Sequence, residues 1–188
     1  MSRVLEKKDF GATGFRWLTL KRITYQDPEG RQRQWESAER TTRPDCGVDG
    51  VAIIARVLSA TEPPKIILEA QFRPPQDAIV IELPAGLIDA GETAAEAAVR
   101  ELKEETGYSG RVVEETPVCW SDPGMTNANM QVVVMDVDAN APENAIIHPE
   151  LEDGEFIEVF LLPLEGLHEA LLAVKAEKGW EMDARLLI

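Results

Sequence analysis

The chain has 188 residues, with 34 acidic against 19 basic side chains and a net charge of −15. That length supports one substantial core and a small additional element. An acid excess of this size repels polyanions and counts against nucleic-acid binding, which requires a basic footprint. No apolar run approaches the roughly 20 residues of a membrane span. The charge is uneven: residues 1–50 hold 10 Lys/Arg and 8 Asp/Glu, whereas residues 51–188 hold 9 and 26. The balanced N-terminal segment is therefore the expected source of cationic contacts to a small anionic ligand. The first ten residues lack the apolar core of a secretory leader. Cys46 and Cys119 stand alone without CxxC spacing, as free thiols in a reducing compartment would. A cytoplasmic, or nuclear, protein is expected.

In chain order, the strand-like runs Phe15 to Tyr25 and Gln32 to Thr42 flank Asp27-Pro28-Glu29-Gly30, a strong turn signal. They predict an N-terminal β-hairpin. A loop over Arg43 to Gly47 suggests a boundary between a hairpin segment, residues 1–46, and a main domain, residues 47–188. Strands are expected over Val51 to Leu58, Ile66 to Phe72 and Ala78 to Leu83. Further strands are expected over Arg111 to Cys119, Met130 to Asp136 and Phe156 to Leu162. The spacing of Leu164, Leu167, Leu171 and Val174 predicts a closing helix to Lys178. Strands in mixed order with helices on both sides predict an α/β fold, a sandwich of α/β/α layers around a mixed sheet.

The chemistry concentrates in residues 86–108. Thr93-Ala-Ala-Glu96 reads as a capping box opening a helix over Ala94 to Thr106, and Gly107 suits the left-handed residue past its end. At 3.6 residues per turn, Glu101, Glu104 and Glu105 fall within about 100° of one another. Ala97, one turn earlier, leaves room for a ligand, and Ala95, Val99 and Leu102 form an opposite apolar stripe for packing. Like charges on one face repel by a few tenths of a kcal/mol per exposed pair. A divalent cation reverses that sign, and Mg2+ takes carboxylate oxygens while keeping waters to share with substrate phosphates. The plainer alternative is a solvated acidic helix face.

The stretch also fits G-x5-E-x7-R-E-U-x-E-E-x-G-U, U being bulky and apolar, through Gly86, Glu92, Arg100, Glu101, Leu102, Glu104, Glu105, Gly107 and Tyr108. In this it resembles the Nudix hydrolases. The resemblance implies Mg2+-dependent cleavage of a nucleoside-linked diphosphate, with two or three ions per site and Mn2+ as a substitute. It implies metal ligation by Glu101, Glu105 and the Ala85 backbone carbonyl, with Glu104 assisting. Arg100 and Glu92 would brace the loop and helix, and Gly86 and Gly107 would permit its turns.

Outside the box, Trp35-Glu36-Ser37, Arg40 to Arg43, Gln71-Phe72-Arg73-Pro74-Pro75, Glu82 to Asp89, Asp122 to Asn127 and Asp153 to Glu158 resemble the ADP-ribose, or ADP-sugar, pyrophosphatase branch. That branch is homodimeric, with the N-terminal hairpin exchanged across the dimer. The resemblance implies that Trp17 and Trp35, one from each subunit, sandwich adenine and that Glu36 accepts from its amino group. Arg40 and Arg73 would reach the phosphates, Leu87 and Asp122 would complete the pocket, and Glu155 would be the catalytic base. For the Trp residues, packing within the hairpin is the plainer alternative. Expected activity is hydrolysis of ADP-ribose to AMP and ribose 5-phosphate. Rival readings are another ADP-sugar or an oxidised nucleoside diphosphate as substrate, or a non-catalytic ADP-ribose sensor.

Overall fold

A computed structural model describes residues 3–9 and 14–187. They fall into two compact units, one of Met1–Asp49 with Val118–Met130, the other of Gly50–Pro117 with Gln131–Ile188. In the first unit, β1 (Arg3–Asp9), β2 (Leu18–Gln26) and β3 (Gln32–Arg40) form an antiparallel sheet in the order β1-β2-β3. The expected turn closes β2 onto β3: the Asp27 carboxylate accepts the N–H groups of Glu29 (3.0 Å) and Arg31 (2.9 Å). β1 was not expected. All seven of its residues are exposed, so it carries no period-2 signal. The unit's other segment is the loop after β9 (Cys119–Trp120), whose residues pair with Met130 and Asn129.

Arg43 and Asp49 join the two segments of this unit. The Arg43 guanidinium donates to both Asp49 oxygens (2.8 and 2.7 Å) and to the Asn127 carbonyl. Asp49 in turn exchanges hydrogen bonds with Asn129: its N–H donates to Asn129 Oδ1 (2.9 Å), and its carboxylate accepts the Asn129 N–H (3.1 Å). Burial alone would push the Asp49 carboxyl up. The bonds from Arg43 and the Asn129 N–H outweigh it and hold the group below its ordinary value.

The second unit carries a mixed sheet built from β4 (Gly50–Leu58), β5 (Lys65–Arg73), β6 (Ala78–Glu82), β7 (Ala85–Leu87), β8 (Arg111–Glu115), β10 (Asn129–Asp138, from Gln131 on), β11 (Ile157–Pro163) and β12 (Glu181–Met182). The order is β12-β6-β5-β4-β10-β8, with β11 on β5 and β7 on β4; β12 runs parallel to β6. The expected run from Arg111 to Cys119 thus breaks after Glu115. Helix α1 (Ala94–Thr106) packs on β4, β7 and β8, and α2 (Leu167–Lys178) on β11. α2 starts three residues later than expected, behind Gly166.

β5 sets up the interior. Residues 65–71 pair with β11 along one edge, while the other edge changes partner, from β4 at Lys65 and Ile66 to β6 from Glu69 onward. β4 and β6 diverge at this fork, and the chain returns from β6 through Leu83-Pro84 into β7 beside β4. There the Pro84 carbonyl accepts the Ile53 N–H (2.8 Å).

Candidate active site

α1 forms as its sequence predicts. Thr93 Oγ1 accepts the Glu96 N–H, the Glu96 carboxylate accepts the Thr93 N–H (2.8 Å), and Gly107 closes the helix at φ 75° with its N–H on the Lys103 carbonyl. A Cβ at Gly107 would also meet the His148 backbone at 2.6 Å.

The packing face differs from the expected one. Val99 is 45% exposed, whereas Ala94, Ala97, Ala98, Leu102 and Glu105 are buried. The small alanines let the helix approach β4 and β7 closely, and Glu101 and Glu105 lie in the middle of that inward face. Ala97 is fully packed and is no ligand space. This is the correction to the stripe of Ala95, Val99 and Leu102. It also sets aside the solvated acidic face for two of the three carboxylates.

Gly86 has a specific reason to be glycine: a Cβ there would overlap the Glu101 carboxylate. Ala85 adjoins it, and its N–H donates to Glu105 Oε2 (3.0 Å). Glu101, Glu105, Ala85 and Gly86 are thus gathered at one place. Arg100 braces them. Its Nε and Nη2 donate to the two Glu92 oxygens (2.9 and 2.8 Å), its Nη1 to Glu101 (2.8 Å) and Glu104 (3.1 Å), and its Nη2 also to the Leu87 carbonyl (3.0 Å). Glu92 also accepts the Asp89 N–H (3.0 Å), tying the loop to the helix.

Electrostatically the site is under-compensated. Burial pushes the Glu101 carboxyl up in spite of the Arg100 bond. It pushes Glu105 up more strongly, helped by repulsion from the Glu69 carboxyl. Burial raises Glu69 likewise, with Glu82 and Glu155 adding repulsion. Buried acid oxygens lacking counter-charge suit a hard divalent cation. Among the described residues no three acid, His or Cys side chains close around a common point as a metal cage. Mg2+ does not ask for one, since it is held by one or two carboxylates and otherwise by water and phosphate. Two carboxylates and a backbone oxygen fit that demand.

Other expected residues of this unit are placed as follows. Arg73 lays its Nε–Nη2 edge on Glu82 (3.0 and 2.5 Å). Leu87 is exposed in β7. Glu155, before β11, accepts the Glu152 N–H (2.9 Å), and its charge reaches Glu69, Glu101 and Glu105. Glu69, fully buried, and Glu82, bonded to Arg73, lie outside the expected set of site residues. The available signal was a lone acid inside the apolar run Ile66-Ile67-Leu68-Glu69-Ala70.

In the first unit, the Trp35 indole N–H donates to the Gly124 carbonyl (2.8 Å) in the turn that opens at Asp122, and Asp122 accepts the Gly124 N–H. Trp35 and Trp120 flank a cleft of about 210 Å3 also lined by Lys7, Glu39 and Met125. Trp120 was not anticipated; its place just before Ser121-Asp122 was the clue. Glu36 is exposed beside Arg22 (3.6 Å), and Arg40 is exposed at the end of β3. Trp17 lies under the Arg16 guanidinium (4.3 Å) and opposite Thr41, whose N–H it accepts. Six residues separate Thr41 from Trp35, about 20 Å along a strand. One chain therefore does not bring Trp17 and Trp35 face to face.

The NUDIX domain matches residues 49–185, and the chain belongs to the Nudix family. It is 45% identical to an ADP-ribose pyrophosphatase of Saccharomyces cerevisiae over 172 residues, covering 91% of this chain and 74% of that one. It is 39% identical to an ADP-sugar pyrophosphatase of Mus musculus over 171 residues, covering 91% and 78%. Among solved structures, an ADP compounds hydrolase shares the fold, with a TM-score of 0.61 at 20% identity over 91% of this chain and 83% of that one. No helix among the described residues is long and apolar enough to cross a membrane.

Proposed function

We propose that the chain hydrolyses ADP-ribose: water attacks one phosphorus of the diphosphate, and AMP and ribose 5-phosphate leave. The observation that carries this reading is the convergence of Glu101 and Glu105 on Ala85–Gly86 at the start of β7, under the Arg100 brace. The relatives named for ADP-ribose and ADP-sugar cleavage, matched over most of the chain, support the substrate.

Glu101, Glu105 and the Ala85 carbonyl would hold Mg2+, or Mn2+ in its place, in two or three ions per site. When bound, such an ion neutralises charge on the diphosphate and acidifies water at neutral pH. Arg100 keeps Glu101 and Glu104 in place through its bonds to both, and its hold on Glu92 fixes the loop. Glu155 is the proposed base, orienting the attacking water and taking its proton. Arg73 would offer the phosphates the Nη1 side left over from Glu82.

The adenine would stack on Trp35, with Glu36 accepting from its amino group and Arg40 and Asp122 completing the contacts. Trp17 would come from a second copy of the chain, because its distance from Trp35 forbids a sandwich within one. The exposed Val4, Leu5, Phe15, Leu18 and Leu20 support a homodimer, since this unit otherwise leaves much apolar surface in water.

A substrate panel tests the reading: ADP-ribose, ADP-glucose and 8-oxo-dGDP with Mg2+, products separated by ion exchange. AMP and ribose 5-phosphate formed fastest from ADP-ribose support it. Faster turnover of either competitor moves the assignment to that substrate. ADP-ribose binding without turnover of any of the three identifies a sensor instead.

A further inference from the structure

Strand register assembles the cleft between Trp35 and Trp120. Lys7 faces Ile23 across the β1–β2 pairing, and Ile23 faces Trp35 across the β2–β3 pairing, so the three side chains form a row on one face of the sheet. Glu39 shares that face by alternation along β3. The facing wall is the loop after β9, closed at its base by Trp120 paired with Asn129 and by the Ser121 N–H on the Ala128 carbonyl (3.0 Å). Two bonds tie this loop to β3: the Trp35 indole N–H on Gly124, and the Ala38 N–H on the Met125 carbonyl (3.0 Å). Asn127, in the same loop, also lines the cleft.

Three features mark the cleft as a ligand site. Trp35 is 51% and Trp120 53% exposed, so two large aromatic surfaces are left half in water around it. Its volume, about 210 Å3, falls below the roughly 300–1,000 Å3 of sites that enclose a whole small molecule, and suits a single ring system. Its polar groups also have capacity to spare. Lys7 Nζ donates to Glu39 (2.8 Å) and to no other described residue, which leaves two of its three donors. The Asn127 side-chain oxygen is buried and accepts from no described residue. A buried acceptor without a donor is costly, and an outside donor relieves it.

A donor and an acceptor in one aromatic cleft complement adenine. That base offers a ring nitrogen as acceptor next to an amino donor, whereas guanine has an oxygen in place of the amino group. We propose that Lys7 and Asn127 determine base specificity: the Lys7 ammonium donates to a ring nitrogen and the Asn127 side-chain oxygen accepts from the neighbouring amino group, with Trp35 and Trp120 flanking the base. This rests on the substrate reading above, which puts the base on Trp35. The amino group has two hydrogens, so the bond to Asn127 adds to the one given to Glu36. Glu39 holds the Lys7 ammonium in the cleft, and β1, which buries none of its residues, supplies it.

Steady-state kinetics on ADP-ribose and on inosine diphosphate ribose, whose base carries an oxygen in place of the amino group, tests this. Wild type, Lys7→Met, Asn127→Leu and a control, Lys8→Met on the opposite face of β1, are compared. The expected result for Lys7→Met is a KM for ADP-ribose raised about 10- to 100-fold with kcat little changed. Wild type should prefer ADP-ribose, Asn127→Leu should lose about 5-fold of that preference, and the control should match wild type. A wild type indifferent to the two bases overturns the proposal, as does a wild-type KM in Lys7→Met. So does an Asn127→Leu protein that loses activity on both substrates alike, as a purely structural residue would dictate. Should either variant not fold by circular dichroism, Lys7→Leu or Asn127→Val decides by the same readings, and failure of these to fold overturns the proposal by making the residues structural. Trp35→Ala separates the underlying reading: an unchanged KM there removes the base from the cleft and the proposal with it, whereas a raised KM beside an unaffected Lys7→Met overturns the role of Lys7 alone. Absence of ADP-ribose turnover in wild type removes the substrate reading itself.

Discussion

The Glu101 carboxylate rests against the Cα of Gly86, in the space that a β-carbon at residue 86 would occupy. The obstructed group is the far end of a flexible side chain. Gly86→Ala should therefore displace the carboxylate and leave the fold intact. We expect kcat/KM to fall about 10- to 100-fold, in line with disturbed support of metal ligands, while the far-ultraviolet circular dichroism and melting temperature stay near wild type. Unfolding of the variant would place the constraint in the backbone instead.

Arg100 distributes five hydrogen bonds over Glu92, Glu101, Glu104 and the Leu87 carbonyl. A lysine carries the charge but not the planar fork. Arg100→Lys is expected to lose activity about as severely as Arg100→Ala, on the order of 100-fold. Steady-state kinetics on the two variants checks this. Near-complete rescue by lysine would mean that charge alone matters there.

The Arg43–Asp49 pair makes stability depend on pH. The Asp49 carboxyl is held below its ordinary value in the folded chain. Its contribution is therefore complete above the ordinary carboxylate range and is lost as pH falls through the lowered value. Asp49→Asn leaves Arg43 without its bidentate partner, and breaking such a buried pair costs about 3–5 kcal/mol. In urea unfolding that deficit should be full at pH 7 and shrink as the wild-type carboxyl protonates below about pH 4. A deficit independent of pH would assign the loss to packing.

For Trp35, stacking on a base is worth about 1–3 kcal/mol. Trp35→Ala should raise the KM for ADP-ribose about 5- to 150-fold with little change in kcat. Trp35→Phe should recover part of the difference, because it keeps an aromatic face but loses the bond to Gly124. An unchanged KM would leave Trp35 as a packing residue of its turn.

Legibility in the sequence followed the range of the forces involved. α1 was readable to the residue because Thr93, Glu96 and Gly107 act over three or four residues. Its packing face was not. Ala94, Ala97 and Ala98 have little hydrophobicity to mark them, and their burial comes from the approach of β4 and β7, which no local pattern encodes. β1 was missed because an exposed, charge-rich strand has no period. Arg73 was recognised as a functional cation, but its engagement with Glu82 depends on the β5–β6 register. Glu69 is the extreme case: its burial follows from the fork at which β5 exchanges β4 for β6, which no local pattern encodes.

The most direct test is turnover of ADP-ribose with Mg2+ by wild type and Glu105→Gln, with ADP-ribose affinity measured in parallel. Removing a cation ligand costs several kcal/mol of transition-state stabilisation. About 4 kcal/mol corresponds to a loss of roughly a thousandfold in kcat/KM. The account predicts that loss with the fold preserved and ADP-ribose still bound. A Glu105→Gln protein that cleaves ADP-ribose at the wild-type rate would contradict it.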